Sequence, residues 1–155
     1  MVFRELITRM TQAACKGDGK AVADCFTPDG IYEDVFYGEF QGPSIATMIT
    51  DYFHRDATRF KWDLHQIVGN EQTGMARYIF SFDSKLEGSE GRRAVFEGVA
   101  ICRLLDGRIA RYSEVADTLT GQNLTGFSEA KMTRYIDRQT KALTQRVEVL
   151  CHITP

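Results

Sequence analysis

The chain has 155 residues, 43 % hydrophobic and 26 % charged, the proportions of an ordinary globular domain long enough to bury a core. Nineteen basic against 21 acidic residues give a net charge of −2, which excludes the electrostatic footprint of a nucleic-acid or anionic-membrane binder. No apolar run is long enough to span a bilayer, and the opening "MVFRELITRM" carries charges through its apolar residues, unlike a secretion signal. Cys15, Cys25, Cys102 and Cys151 show no Cys-x-x-Cys pairing and read as four reduced structural thiols of a cytoplasmic protein.

Phe3, Leu6, Ile7, Met10, Ala13 and Ala14 recur at helical spacing, and "KGDGK" breaks that helix. Asp18 is placed to cap a second, short helix through Val22 and Phe26, which stops at Thr27-Pro28 because the residue before proline avoids α geometry. "IYEDVF" follows as a strand. Gly42-Pro43-Ser44 opens a third helix with Ile45, Met48, Ile49, Tyr52 and Phe53 on one face. Four strand-like runs come next, Arg59 to Val68, Gly74 to Asp83, Arg92 to Leu104 and Arg108 to Leu119. They are separated by "GNEQT", "SKLEGSEG" and the hairpin signal "LDG". Ser128 to about Val149 is helical again. Helices first and a mostly antiparallel sheet after them predict an α+β domain in which helices cover one face of a curved sheet.

That order, with "GDGKAVADCFTPDGIYED", then "GNEQTGMARYIFSF", then "DGRIARYSEVAD" leading into "TGF", resembles the nuclear-transport-factor-2-like superfamily, with its SnoaL-like polyketide cyclases and ketosteroid isomerases. The resemblance covers about Phe3 to Phe127. It implies a cone-shaped fold in which a strongly bent sheet wraps three N-terminal helices around an apolar cavity, and it implies pairing as a homodimer. The domain is accordingly residues 1–127, with 128–155 a C-terminal helical extension packing on the same domain or on a dimer partner.

The resemblance also assigns roles. The "ED" of the first strand supplies the general base of ketosteroid isomerases, and the matching residue is Asp34. Strand alternation puts Tyr32, Asp34 and Phe36 on one face, so the carboxylate would be desolvated between aromatics and its pKa raised toward working pH. The structural alternative is that Asp34 caps a turn. The isomerases' two oxyanion donors fall on Met10 and about Val99, and neither can donate. On the last strand the cavity-facing positions match Tyr112, Glu114 and Ala116, Glu114 corresponding to an aspartate of the limonene-epoxide-hydrolase branch. The Arg-x-Asp which that branch needs is here Arg77 with Ile79. Asp117 matches an acid of SnoaL-like cyclases, whose histidine is replaced at about Arg103.

The candidate catalytic set is therefore Asp34, Glu114, Asp117 and Tyr112, with Met10, Tyr32, Phe36, Tyr52, Phe53, Tyr78, Val99 and Arg103 expected to line the pocket. His65 shares a strand face with Lys61 and Asp63 and reads as surface or dimer interface. His54, His65 and His152 are scattered, so neither metal nor cofactor is expected. Glycine-rich phosphate loops and Gly-x-Ser-x-Gly elbows are absent. Two readings follow. One is a cofactor-free isomerase, cyclase or dehydratase acting on a hydrophobic carbonyl compound. The other is a non-catalytic dimeric ligand-binding or protein-association domain of the same fold.

Overall fold

In the computed structural model, which describes residues 2–153, the first apolar stripe forms α1 (Phe3–Lys16) and is buried along its length. Gly17 ends the helix at φ 76°, and the amides of Gly17 and Asp18 return to the carbonyls of Ala14 and Ala13. The Asp18 carboxylate then accepts from the Ala21 amide and caps α2 (Gly19–Ala23). This helix stops short of Phe26, because Phe26 already pairs with Ile109 in a sheet.

β1 (Phe26–Asp34) thus begins five residues before the expected Ile31 and carries Thr27-Pro28 through an irregularity between Phe26 and Ile31. A turn over Val35, Phe36 and Tyr37 leads into β2 (Gly38–Gln41), an edge strand the sequence pattern had not announced. Gly38 closes that turn at φ 87°. The third helical segment is split. α3 (Ser44–Thr47) runs into a π-helical stretch (Met48–Phe53) and ends in α4 (His54–Asp56).

Four long strands complete the sheet: β3 (Ala57–Gly69), β4 (Thr73–Ser84), β5 (Arg93–Leu105) and β6 (Arg108–Ala116). β6 ends three residues before Leu119 because α5 (Thr118–Leu124) takes over. Ser128 caps α6 (Glu129–Thr144), which a 3-10 turn (Val147–Val149) and α7 (Leu150–Ile153) follow. The strands form one open sheet in the order β2-β1-β6-β5-β4-β3. Only β1 and β6 run parallel; the other neighbours are antiparallel. Bulges between Thr58 and Lys61 and between His65 and Val68 bend β3, with Arg59 and Gln66 at positive φ.

One sheet face packs on the helices. Tyr78 and Phe80 of β4, Phe96, Ala100 and Cys102 of β5 and Tyr112 of β6 are buried there with the α1 stripe. The opposite face carries ion pairs, Arg77 to Glu97 and Arg111 to both Glu33 and Glu39. It also carries Asp83, buried between Arg59 and Arg93. Val99 and Arg103 belong to this outer face, Val99 being 38 % exposed, so neither lines a pocket as the sequence had suggested. Their neighbours Gly98, Ala100 and Cys102 take the inner positions. Among the described residues no helix is long and apolar enough to cross a membrane.

Candidate active site

Asp34 ends β1 and faces inward with Tyr32, as strand alternation requires. It is 6 % exposed. Its Oδ1 accepts the backbone N–H of Phe36 at 2.8 Å and of Tyr37 at 3.0 Å. These bonds are those of an aspartate holding the turn that follows it. The structural and the chemical readings of Asp34 therefore describe one side chain: it shapes the β1–β2 turn and is buried in doing so. Burial raises its pKa well above the ordinary carboxylate range, and the two amides oppose that rise only partly.

Glu114 stands on the inner side of β6, and its Oε2 accepts from two phenols. Tyr78 donates at 2.6 Å and Tyr112 at 2.9 Å. Glu114 keeps some exposure toward a recess, yet desolvation is the largest influence on it and pushes its pKa up. The negative charge of nearby Asp34 pushes the same way, while the two tyrosines and the Val35 amide favour the charged form. The carboxylates are thus a coupled pair whose first negative charge resists the second.

The pair rests on buried aromatics. Tyr32 and Tyr112 stack with ring centroids 4.4 Å apart, and the Tyr32 hydroxyl is buried without a hydrogen-bond partner. Tyr78 lies directly across the β4–β5 ladder from Gly98. A Cβ at Gly98 would collide with the Tyr78 hydroxyl, so the bare backbone there is what lets Tyr78 reach Glu114.

Two hollows flank the turn. Asp34 and Glu114 line the smaller, about 290 Å³, together with Arg138, Gln139, Ala142 and Arg146 from and beyond α6. The larger, about 420 Å³, is walled by phenylalanines 53, 60, 80, 82 and 96 and closed by α5, Phe127 and α6. Phe36, Tyr37 and Arg138 border both. The larger and more apolar of these two hollows therefore does not contain the two carboxylates, and the turn that Asp34 holds divides it from them.

The other expected residues separate. Met10 is fully buried in the core, and neither it nor Tyr32, Tyr52 or Tyr78 borders either of these two hollows. Phe36 and Phe53 do. Tyr112 is fully buried and acts on Glu114. Asp117 is exposed at the start of α5 and accepts the Thr120 hydroxyl at 2.7 Å, so it is a surface turn residue. His65 is exposed, and His54 spends its Nε2 on the Ala14 carbonyl. Among the described residues no group of three His, Cys, Asp or Glu is placed to hold a metal ion.

Sequence reasoning missed Tyr37, whose hydroxyl donates to Asp56 at 2.9 Å, and all of α5 and α6 as cavity walls. Gly38 after "VFY" is the signal for the turn that places Tyr37. α6 crosses the mouth through three contacts. The Tyr135 hydroxyl meets that of Thr118 at 2.6 Å, its ring packs on Phe36, and Gln139 donates to the Val35 carbonyl at 3.1 Å.

An open, bent sheet over N-terminal helices with a pocket at one end defines the nuclear-transport-factor-2-like class. Within it the chain belongs to the SnoaL-like domain family, whose model matches residues 7–112. Solved structures share the fold. TsrD from Streptomyces laurentii aligns at 19 % identity over 80 % of this chain and 94 % of its own, with a TM-score of 0.67. IdmH from Streptomyces antibioticus, described as a proposed polyketide cyclase, aligns at 15 % identity over 81 % and 99 %, TM-score 0.68. A protein with a ketosteroid isomerase-like fold from Catenulispora acidiphila, solved with trimethylamine, aligns at 12 % over 80 % and 94 %, TM-score 0.70. No curated protein sequence matches the chain significantly.

Proposed function

We propose that the protein is a cofactor-free enzyme that moves a proton beside the carbonyl of a hydrophobic small molecule, as an isomerase, cyclase or dehydratase. The observation that carries this reading is the buried Asp34–Glu114 pair, two carboxylates with raised proton affinities beside a hollow. Asp34, favoured in its charged form by two backbone amides, takes the proton from carbon. The C–H electrons move to the carbonyl oxygen as an enolate. Glu114, whose protonated form is favoured by burial and then by its neighbour's charge, donates a hydrogen bond to that oxygen and keeps its proton. Return of the proton from Asp34 to a different carbon completes an isomerisation. The reacting carbonyl sits in the recess with the carboxylates, and Phe36 and Tyr37 stand between it and the aromatic cavity that takes the apolar body.

One observation favours a second reading, a ligand-binding domain without turnover: the aromatic cavity excludes both carboxylates. Deuterium uptake from D2O into 2-tetralone and related cyclic ketones separates the two. The enzyme reading expects exchange above the buffer rate that is lost in Asp34→Asn. Exchange at the buffer rate across the panel, with the ketones still bound, would leave the binding domain.

We also assign the protein to the cytoplasm, where its four free thiols stay reduced, and propose a homodimer through the outer sheet face. Met75, Val95, Val99 and Val115 are exposed on it, and Val99 and Val115 face each other across β5 and β6.

A further inference from the structure

The walls of the 420 Å³ cavity are aromatic, but its rim on α6 is basic. Lys131, Arg134 and Arg138 border it at spacings of three and four, one face of the helix. All three are exposed, and no ion pair to any of them is among those the described residues make. Lys131 lies 5.4 Å from the centroid of Phe127, and Arg138 lies 5.3 Å from that of Tyr135, so two of the cations are held over rings that line the same space. Among the described residues that line the cavity the only acid is Asp56, which is already engaged by Arg55 and by the Tyr37 hydroxyl.

A second observation comes from the opposite wall. Gln122 of α5 is 5 % exposed, lines the cavity, and its carboxamide oxygen is buried with no hydrogen-bond partner. A buried acceptor left bare keeps its desolvation penalty, which a donor on a ligand would relieve. The volume lies within the roughly 300–1,000 Å³ of small-molecule sites.

We propose that this cavity takes an anionic aromatic compound: a fused-ring body among the phenylalanines, an O–H or N–H donating to Gln122, and an acidic group at the Lys131–Arg134–Arg138 rim. This deepens the proposed function by giving its substrate a chemical class, and it rests on that reading only for the claim that the ligand is turned over. The rim also explains why α6 can close the cavity with few contacts of its own: an acidic ligand supplies the remaining ones.

Two fluorescent dyes test the inference on the full chain. 1-Anilinonaphthalene-8-sulfonate has a fused ring, an N–H and a sulfonate; N-phenyl-1-naphthylamine is the same body without the sulfonate. The anionic dye should bind one per chain and about tenfold tighter than the neutral one, with the advantage falling as salt rises. The triple variant Lys131→Gln/Arg134→Gln/Arg138→Gln, all at exposed positions, should abolish that advantage and leave the neutral dye unchanged. Gln122→Met should weaken both dyes several-fold, and Ala94→Phe, which fills the cavity from β5, should displace both.

Equal affinity for the two dyes in the wild type, or an anion preference that survives the triple variant, would overturn the assignment. Weak binding of both dyes, unaffected by Gln122→Met, would overturn it as well. Asp34→Asn keeps dye binding while removing proton exchange, so failure of the catalytic reading and failure of the ligand class give different results.

Discussion

Tyr112 and Glu114 sit two residues apart on one face of β6, and the Tyr112 hydroxyl donates to the carboxylate that Tyr78 reaches from β4. Both phenols favour the charged Glu114, opposing burial and the charge of Asp34. Removing either donor should therefore push the Glu114 pKa further up. Tyr78→Phe and Tyr112→Phe should each cost about 1 kcal/mol of stability, the net worth of one hydrogen bond. The alkaline limb of a pH–rate profile, where Glu114 loses the proton it must hold, should move to higher pH in both. Carbon-13 titration of Glu114 checks the direction directly, and an unmoved or lowered pKa would refute the network as described.

Both carboxylates have folded-state pKa values above their unfolded ones. Between the two ranges the folded state holds more protons than the unfolded state, so stability falls as pH rises. Their contribution is complete below the ordinary carboxylate range and is lost as pH climbs through the raised values toward neutrality. Asp34→Asn/Glu114→Gln keeps both acceptors but removes the titration. Thermal midpoints at pH 5 and pH 8 should differ by roughly a few degrees less in the double variant than in the wild type. An equal difference in both proteins would contradict the raised pair.

The Tyr78–Gly98 pairing across β4 and β5 makes a further demand. A methyl group at Gly98 meets the Tyr78 ring end on one side and the Ala116 Cβ, 2.9 Å away, on the other. Gly98→Ala should cost about 1–3 kcal/mol through overpacking and should break the Tyr78 bond to Glu114. Combining it with Tyr78→Phe should then cost less than the sum of the two, because they share one interaction. A double-mutant cycle by urea unfolding reads this, and strict additivity would exclude the coupling.

Val99 is expected in the pocket through its register with the isomerases' second acid, and the alternation of β5 puts that position on the outer face instead. In "AVFEGVAICRL" the inner face of β5 carries Ala94, Phe96, Gly98, Ala100 and Cys102, while the outer face carries Val95, Val99 and Ile101. Hydrophobicity alone points to the outer row, because the inner row is trimmed to small residues where Tyr78 crosses over. The alternation on β1 was legible because Tyr32 and Asp34 stand two apart, whereas on β6 the match to the family, not the local pattern, brought Tyr112 and Glu114 forward. The fold order, the α1 stripe and the Asp18 cap were legible from spacing. Nothing local marked the division of the interior by the β1–β2 turn, since it depends on Phe36 meeting Phe96 and Tyr135, 60 and 99 positions further along the chain.

α6 is amphipathic but has no buried residue, and its ties to the domain are the Tyr135 and Gln139 contacts. It should open well below the global unfolding free energy. Amides of Glu129–Thr144 should exchange faster than those of β4 and β5, and Tyr135→Ala should speed them further while lowering the thermal midpoint by about a degree or two. Protection of α6 equal to that of the sheet would show that it is part of the cooperative core.

The outer face gives the last prediction. Val99 and Val115 oppose each other there, Val115 being 68 % exposed, with Met75 nearby on β4 at 42 %. Apolar side chains so placed are covered when two copies meet face to face, and a charge at the centre of such a patch is left without water or a partner. Sedimentation should give a dimer at micromolar concentration for the wild type and a monomer for Val115→Asp. The variant should keep its far-ultraviolet circular dichroism, because Val115 contributes nothing to the inner core. Ion pairs from Arg77 to Glu97 and from Arg111 to Glu33 and Glu39 stand on the same face, so 1 M salt should weaken the dimer only modestly if the valines carry it. A wild-type monomer under these conditions would remove the sheet face as a pairing surface.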